Sequence, residues 1–291
     1  MLRGVRALKL FRFGAAGDEL PGVWLEDSAR ALDVSSAIDD YDESFFGSGG
    51  LLRLQDLLDS RESEFPELDL AQLRLGPPVG RPSKLLAIGL NYRAHAKETG
   101  ARVPTDPKLF MKATTALSGC FDELCLPPGS THTDYEVELA VVLGKEARRV
   151  SVEVALDYVA GYTVCNDYSE REWQKERDGQ FVKGKSADGF APLGPMLVPA
   201  AQLDPGDLRL WLSVNGETRQ DSSTSDMVFS CAELVSRISH YMTLLPGDVI
   251  STGTPSGVGL GFSPPRFLRP GDVLRYGIEG IGEAEQRVVA E

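Results

Sequence analysis

Residues 134–143 read Asp134-Tyr135-Glu136-Val137-Glu138-Leu139-Ala140-Val141-Val142-Leu143, in which acidic and apolar residues alternate before an unbroken apolar run. This pattern predicts a β-strand. Residues two positions apart on a strand point to the same face, with Cα atoms about 6.5–7 Å apart, so Glu136 and Glu138 would lie side by side. Two ionised carboxylates beside an apolar run repel each other and are costly to desolvate, and a bound metal ion offsets both effects.

A third carboxylate, Asp167, follows a further strand candidate, Gly161–Asn166. Three carboxylates with no histidine or thiolate beside them make an all-oxygen ligand set, which suits Mg²⁺ or Mn²⁺ rather than Zn²⁺. An octahedral ion with three protein ligands keeps positions for water and for a chelating substrate. The alternative is an edge strand with an outward acidic face, and the spacing of Glu136 and Glu138 alone does not exclude it.

A histidine and a glutamate at helical spacing come after the strand candidate Lys84–Leu90. If Asn91 caps a helix, His95 and Glu98 lie at i and i+3 on one face. The carboxylate can then hydrogen-bond one imidazole nitrogen and leave the other to take a proton from water. A His–Glu pair on a helix is more often a surface contact, so a general-base role depends on what else the chain brings to the site.

Polar residues suited to binding an anion follow the third carboxylate. Arg171 and Gln174 come within the next seven positions, and Lys185 is preceded by a glycine that lets it approach an oxyanion without steric hindrance. Thr254, in Gly253-Thr254-Pro255, offers a hydroxyl group. Taken singly, each of these residues is more often a solvated side chain or part of a turn. Only their combination indicates an anion-binding site.

The first part of the chain differs in character from the rest. Residues 1–78 combine short strand-like pieces, an acidic loop-rich stretch and leucines at helical spacing in Gly50–Leu58. Gly76-Pro77-Pro78 ends this segment, so we predict a small N-terminal α/β domain over residues 1–78 and a catalytic domain over residues 79–291. The first segment carries no chemical motif and is predicted to serve packing or oligomerisation.

Strand signals dominate after this boundary. Leu208–Val214 ends in the hairpin signal Asn-Gly, and Val273–Ile278 follows Pro-Gly-Asp, a turn that starts a strand. Helical patterns are fewer, at Arg93–Glu98, Val152–Val159 and Ala232–Met242. This balance predicts an α+β, β-rich fold without the βαβ alternation of a doubly wound sheet. The glycine-rich run 257–261 has no helical pattern after it, so we reject a dinucleotide site there.

Composition narrows the class of function. A formal net charge of −13 and a pI near 4.8 disfavour a nucleic-acid or anionic-membrane surface, which needs clustered Lys and Arg. An anionic substrate is still compatible, since a bound cation reverses the local field. Four scattered cysteines predict reduced thiols in a cytoplasmic protein, and no apolar run is long enough to span a membrane. A soft-metal site at Cys120, Cys125 and His132 is disfavoured because no paired CxxC spacing is present.

Seven ordered motifs resemble those of the fumarylacetoacetate hydrolase family, over roughly Lys84–Arg287. They are Gly89-Leu90-Asn91-Tyr92-Arg93-Ala94-His95, Phe110-Met111-Lys112, Glu136-Val137-Glu138, Asn166-Asp167, Arg171–Gln174, Gly184-Lys185-Ser186 and Thr252-Gly253-Thr254-Pro255. The resemblance implies the family's fold, a mixed β-sandwich roll with an incomplete barrel, and a homodimer.

The resemblance also implies roles for individual residues. The metal ligands would be Glu136, Glu138 and Asp167, and the water-activating dyad would be His95 and Glu98. The substrate and oxyanion contacts would be Lys185, Arg171, Gln174, Lys112 and Thr254. Arg171 is flanked by Glu170 and Glu172, where at least one smaller or neutral neighbour is expected.

The activity implied is a divalent-metal-dependent hydrolase that cleaves a C–C bond in a small anionic 2,4-diketo acid. Acylpyruvates, fumarylacetoacetate and diketo-deoxy sugar acids are such substrates, and the products are pyruvate or a related 2-keto acid and a carboxylic acid. Oxaloacetate decarboxylation and dienedioate isomerisation use the same metal enolate and stay open. A non-catalytic protein that binds an oxalate-like ligand is a further alternative, which turnover of an acylpyruvate would eliminate.

The substrate tail is predicted to contact two segments, Thr99–Lys112 and the loop Glu172–Val182. The loop is polar and contains Gly179, so it is interpreted as a lid over a hydroxylated or charged tail, with Arg177 as its candidate contact.

Overall fold

Strands make up most of the regular structure in the computed structural model, which describes residues 6–291, and short helices cover them. The strands are β1 (Leu8–Phe13), β2 (Leu20–Leu25), β3 (Arg30–Asp33), β4 (Glu67–Leu68), β5 (Leu75–Gly76), β6 (Leu85–Gly89), β7 (Lys108–Lys112), β8 (Leu117–Gly119), β9 (Leu124–Leu126), β10 (Thr133–Asp134), β11 (Val137–Leu143), β12 (Val159–Asn166), β13 (Ser169–Glu170), β14 (Ala191–Pro199), β15 (Arg209–Val214), β16 (Glu217–Ser223), β17 (Val249–Ser251), β18 (Val273–Ile278) and β19 (Gly282–Ala290).

Six α-helices, all of twelve residues or fewer, accompany these strands within residues 6–291. They are α1 (Glu43–Gly47), α2 (Gly50–Arg61), α3 (Arg93–Glu98), α4 (Arg171–Lys175), α5 (Phe181–Lys185) and α6 (Cys231–Tyr241). In this part of the chain no helix combines the length and the apolar character that crossing a membrane requires.

The main sheet is built around two fully buried strands, β11 and β12. Its strand order is β4-β3-β2-β1-β14-β12-β11-β17-β6-β7, with β5 and β8 attached at β1 and β14. A second sheet has the order β16-β15-β18-β19-β9, and β10 pairs only with β13. The sheets are open rather than closed into a barrel, which confirms the predicted β-rich α+β fold.

The antiparallel pairing of β11 with β12 brings two distant parts of the chain together. Its register sets Val137 opposite Asn166 and Glu138 opposite Cys165. The hydrogen bonding continues past the ends of the strands, because the Asp167 N–H donates to the Glu136 carbonyl at 2.8 Å. The start of β11 and the end of β12 therefore share one edge, where the predicted metal ligands lie.

The N-terminal strands extend the main sheet rather than forming a separate one. β1 pairs antiparallel with β14, with Leu10 opposite Leu197. Leu10 and Leu197 are both fully buried in the central core. The predicted helix at Gly50–Leu58 forms as α2, and the domain division at residue 78 stays a prediction.

Local turn chemistry accounts for most of the other elements. Asn215 and Gly216 both have positive φ (52° and 79°), as a type I′ turn requires, and they join β15 to β16. The predicted helix at Val152–Val159 is instead a 3₁₀ segment, Val152–Tyr158. The valines at positions 152 and 154 are β-branched, and β-branched side chains lose rotamer freedom in an α-helix.

Replacing Leu143 by Ala tests the core at the end of β11 that lies away from the carboxylates. Leu143 is fully buried, so we expect the variant to lose about 2–5 kcal/mol of unfolding free energy. Urea denaturation measures this loss, and metal-induced stabilisation should survive it. The control is Leu52→Ala on α2, whose side chain is 70% exposed and should change the free energy of unfolding little. Equal losses in the two variants would contradict this description of the core.

Candidate metal centre

Three buried carboxylates meet at the shared edge of β11 and β12. Ligand oxygens of Glu136, Glu138 and Asp167 all lie within 4.8 Å of one another. The three side chains are 5%, 1% and 1% exposed. The predicted ligand set is thus brought together by strand pairing, and its charge is removed from water.

Basic side chains neutralise two of these carboxylates. Lys185 Nζ donates to Glu136 Oε2 and to Asp167 Oδ2, each at 2.6 Å. Lys112 Nζ donates to the other oxygen of Asp167 and to the Tyr168 carbonyl. Arg171 Nη2 donates to Glu136 Oε1 at 2.7 Å. Burial opposes ionisation of Glu136, but Arg171 and Lys185 outweigh it and lower the pKa of this carboxyl.

Glu138 lacks such a cationic partner among residues 6–291. Its Oε2 accepts hydrogen bonds from the Ser251 hydroxyl at 2.6 Å and the Gly253 N–H at 2.8 Å. Burial, followed by the charges of Asp167 and Glu136, raises the pKa of Glu138 well above its usual range. This carboxylate needs additional positive charge to be stable in its ionised form.

A divalent cation fits this set of donors. The three carboxylates offer only oxygen ligands, which hard cations such as Mg²⁺ and Mn²⁺ prefer. Such an ion would supply the positive charge that Glu138 lacks, and it would share Glu136 and Asp167 with Lys185. The candidate ligands are therefore Glu136, Glu138 and Asp167.

The predicted His–Glu dyad forms on α3. His95 Nδ1 lies 3.0 Å from Glu98 Oε2, and Glu98 Oε1 accepts a hydrogen bond from the Gly257 N–H at 2.8 Å. Both carboxylate oxygens are thus held in place. His95 is only 7% exposed and lines the same cavity as Glu136 and Glu138, so the pair is not a surface contact.

Asn91 does not cap α3, contrary to expectation. Its side-chain amide donates to the carbonyls of Phe229 and Thr252, and its Oδ1 accepts from the Phe229 N–H. The helix begins after Tyr92, and the carboxylate of Asp226 accepts from the Ala94 N–H instead. A cap supplied from a distant part of the chain could not be identified from local sequence.

Arg171 is held by two acids from the strand region that includes the predicted metal ligands. Its Nε donates to Asp134 Oδ2 at 2.8 Å, in addition to the bond to Glu136, and its Nη1 donates to Gln174 Oε1 at 3.1 Å. The flanking Glu170 does not compete, because it caps α4 and accepts from the N–H groups of Glu172 and His132.

Asp134 is a residue of the site that the sequence interpretation missed. It is fully buried, and it accepts hydrogen bonds from the Gly259 and Leu260 N–H groups as well as from Arg171. Asp134 is the first residue of the predicted strand segment 134–143, and this position could have identified it as a residue of the site.

The glycine-rich segment 253–261 holds the acids of the site through its backbone. N–H groups of Gly253, Gly257 and Gly259 donate to Glu138, Glu98 and Asp134 respectively. Gly257 has φ +104°, and a Cβ there would lie 1.9 Å from the Arg219 carbonyl oxygen. Glycine is needed here for close backbone packing.

A cavity of about 240 Å³ joins the carboxylates to the dyad. Its lining includes seven predicted site residues, which are His95, Glu136, Glu138, Arg171, Gln174, Lys185 and Thr254. Of the three others, Glu98 bonds to His95 and Asp167 bonds to Lys185 from outside the lining, and Lys112 bonds to Asp167. The Thr254 hydroxyl donates to the Val137 carbonyl and accepts from Gln220.

Both segments predicted to contact the substrate tail contribute to the cavity. Lys108 and Phe110 come from the first, and Lys175 and Phe181 from the second. The second segment forms α4 and α5 with a turn between them. Arg177 lies outside the lining and pairs with Glu172 at 2.8 Å, and its contact with a substrate tail stays a prediction.

Comparison with known proteins agrees with this geometry. Residues 84–289 match the family described as "Fumarylacetoacetate (FAA) hydrolase C-terminal". The chain belongs to the fumarylacetoacetate hydrolase family. A Burkholderia orbicola member of this family, named "putative hydrolase", is 46% identical over 282 residues, which cover 96% of this chain and 98% of the relative.

Solved structures of the fumarylacetoacetate hydrolase family share the whole fold. The fumarylacetoacetate hydrolase from psychrophilic Exiguobacterium antarcticum has a TM-score of 0.85 and 36% identity, covering 98% of this chain and 100% of that one. Maleylpyruvate hydrolase from Sphingobium sp. SYK-6, in complex with manganese(II) ion and pyruvate, has a TM-score of 0.80 and 30% identity, covering 97% and 99%.

Replacing Glu138 by Gln separates metal binding from folding. The amide oxygen can still accept from Ser251 and Gly253, whereas the charge that burial disfavours is removed. We expect a melting temperature in chelator equal to or above that of the wild type. The variant should lose the rise in melting temperature that Mn²⁺ causes in the wild type. In the wild type, binding stabilises the folded state by about 2.7 kcal/mol at a metal concentration of about 100 Kd.

The matched control is Glu146→Gln, an exposed glutamate outside the cavity lining. It should keep the full Mn²⁺-induced shift in differential scanning fluorimetry. An unchanged shift in Glu138→Gln would show that Glu138 is not a metal ligand.

Proposed function

We propose that this protein is a divalent-metal-dependent hydrolase that cleaves a C–C bond of a small 2,4-diketo acid. The products would be pyruvate or a related 2-keto acid and a carboxylic acid. The observation that carries the proposal is that two acids of the buried carboxylate cluster, Glu136 and Glu138, line one cavity with His95, which Glu98 holds in a dyad. The likeness to a maleylpyruvate hydrolase in complex with Mn²⁺ and pyruvate supports it.

Mg²⁺ or Mn²⁺, held by Glu136, Glu138 and Asp167, would act as a Lewis acid toward the 2-keto acid portion of the substrate. The remaining chemistry falls to the side chains. Arg171, already bonded to Glu136 and Gln174, fixes one wall of the site. Gln174 accepts from Arg171 through Oε1, which leaves its NH₂ group to donate to substrate.

His95 is suited to activate a water molecule. Its Nδ1 is engaged by Glu98, which favours the tautomer with the proton on Nδ1 and leaves Nε2 to accept a proton. The hydroxide so formed would attack the C4 carbonyl of the diketo acid. The Gly257 N–H holds the far oxygen of Glu98, so the orientation of the imidazole is determined by the backbone.

Lys185 is suited to stabilise the oxyanion formed in that attack. Burial alone would lower the pKa of Lys185, but the carboxylates of Asp167 and Glu136 outweigh burial and raise it. The ammonium group therefore stays protonated within the cavity, where it can donate to a developing negative charge.

Isomerisation and decarboxylation are the second candidate within the family. The similar solved structures include isomerases as well as hydrolases. Neither reaction requires a water molecule to attack a carbonyl. Both therefore depend less than hydrolysis does on a dyad placed to activate water, as His95 and Glu98 are proposed to do. The dyad is the reason for preferring hydrolysis.

A substrate panel with metal added back tests the proposed activity. Acylpyruvates, a diketo-deoxy sugar acid, oxaloacetate and a dienedioate would be assayed after chelator treatment, with and without Mg²⁺ or Mn²⁺. We expect C–C hydrolysis of a diketo acid to disappear in chelator and to return with either metal. Full turnover by the metal-free protein, or conversion of oxaloacetate alone, would contradict the proposal.

Replacing His95 by Asn tests the dyad. Loss of a general base lowers a rate by about 10²–10⁴-fold, so we expect a loss in kcat of that order for diketo-acid hydrolysis. The Mn²⁺-induced rise in melting temperature should be kept, and any oxaloacetate decarboxylation should fall less. The control is His240→Asn, an exposed histidine on α6. Equal losses in both reactions would assign His95 a role other than activating water.

A further inference from the structure

A second group of potential metal ligands lies around the start of α4. Donor atoms of His132, Glu170 and Glu172 all lie within 4.8 Å of one another. Two of these residues are the glutamates that flank Arg171 in the sequence. None of the three lines the cavity of the candidate metal centre, so the proposed hydrolysis gives them no role.

The pairing of β10 with β13 brings the histidine to the two glutamates. Its register sets Thr133 opposite Glu170. Next to this pair, the Arg171 N–H donates to the His132 carbonyl at 3.0 Å. Backbone hydrogen bonds therefore fix the spacing between the segment that carries the imidazole and the segment that carries the carboxylates.

Glu170 is a buried carboxylate without a basic partner. It is fully buried, and among residues 6–291 no Lys, Arg or His side-chain nitrogen lies within 4.0 Å of its oxygens. Its Oε2 accepts from the hydroxyls of Ser130 and Thr133 and from the His132 N–H. Its Oε1 accepts one long bond, from the Glu172 N–H at 3.3 Å. Because neutral donors offset only part of the cost of burying a charge, Oε1 is suited to bind a cation.

The imidazole of His132 is held in the way that metal-binding histidines are held. Its Nδ1 lies 2.8 Å from the Thr131 hydroxyl oxygen, and its ring packs on Phe267 with the centroids 4.7 Å apart. A histidine that binds a metal through one nitrogen usually donates its other N–H to an oxygen, which fixes the tautomer and the ring orientation. Nε2 is the nitrogen left to bind, since no hydrogen bond to it is made by the described residues.

Glu172 completes the donor set. Its Oε1 accepts from Arg177 Nη2 at 2.8 Å, and its other oxygen accepts no hydrogen bond from residues 6–291. The set is then one imidazole nitrogen and one oxygen from each of two carboxylates. It differs from the all-oxygen set of the cavity, which suits Mg²⁺ or Mn²⁺, because imidazole together with carboxylate suits Zn²⁺.

We propose that His132, Glu170 and Glu172 bind a second divalent ion, Zn²⁺, outside the cavity. Ligand bonds of about 2.0–2.2 Å require rotation of His132 and Glu172, which are both partly exposed, while Glu170 keeps its place. The ion joins two segments that continue to Asp134 and Arg171, and the side chains of these two residues are hydrogen-bonded at 2.8 Å. Zinc at this second site therefore holds together the backbone that positions Arg171.

Zinc uptake in excess Mg²⁺ tests this without requiring turnover. Equilibrium dialysis against Zn²⁺, followed by atomic emission, gives the number of zinc ions per chain. We expect the wild type to hold one zinc more than His132→Gln or Glu172→Gln, and the same difference should appear when Glu138→Gln is present in every protein. Thr131→Val removes only the partner of Nδ1, so it should keep the site with an affinity lower by about 10–100-fold.

Amide hydrogen exchange tests whether the ion holds the two segments together. Zn²⁺ should slow exchange in peptides that cover residues 130–134 and 169–175 of the wild type, because opening of the β10–β13 pair would then require release of the metal. The same peptides of His132→Gln should exchange equally fast with and without Zn²⁺. Zinc bound through His132 with no change in exchange would overturn the positioning role.

The matched controls are His240→Gln and Glu146→Gln. They remove an exposed imidazole and an exposed carboxylate that lie outside the second site. Both should keep the zinc count of the wild type and the zinc-dependent slowing of exchange. A cooperative melting transition in chelator should be seen for every variant, which shows that each is folded before metal is added.

Two results would overturn the site itself. One is an equal zinc count in the wild type, His132→Gln and Glu172→Gln, and the other is loss of the same zinc in either control variant. Failure of the proposed hydrolase activity has a different signature, since zinc uptake and amide exchange are measured without substrate. A chain that hydrolyses no diketo acid but binds zinc through His132 would keep this site and lose only the assigned reaction.

Discussion

Three carboxylates removed from water within 4.8 Å of one another are the constraint around which the rest of the site is arranged. Such a group is unfavourable unless positive charge or hydrogen-bond donors surround it. Lys112, Lys185 and Arg171 supply the charge at Glu136 and Asp167, while Ser251 and a backbone N–H serve Glu138. These side chains favour the ionised form of Glu136, whereas Glu138 still needs additional positive charge.

The same constraint explains the role of the glycine-rich segment 253–261. Its backbone N–H groups reach Glu138, Glu98 and Asp134, so one segment connects a predicted metal ligand, the His–Glu dyad and an acid that pairs with Arg171. Only glycine permits this at Gly257, where a Cβ would meet the Arg219 carbonyl. A movement of this segment would disturb Glu138 and Glu98 together, which couples the predicted metal ligands to the predicted general base.

The cavity has two parts that differ in the side chains that line them. One part is lined by Glu136, Glu138, His95 and Lys185, whose side chains are held by hydrogen bonds. The other part is lined by Phe110, Phe181 and two exposed lysines, Lys108 on β7 and Lys175 at the end of α4. Exposed residues on short elements can change without affecting the buried acids, so differences in substrate can arise at the tail alone.

The sequence by itself predicted many of the elements and the three carboxylates that the structure brings together. Alternation in residues 134–143 located the strand with Glu136 and Glu138, and the spacing of His95 and Glu98 predicted a pair that α3 does form. These features depend on local periodicity, which can be recognised directly in a sequence. Tertiary structure alone decided which groups meet from distant positions. The acid beside Arg171, the cap of α3, the backbone donor to Glu98 and the lysines in the cavity lining all depend on strand register and on the paths of loops. Such contacts arise from packing between segments far apart in the chain, and no local pattern encodes them.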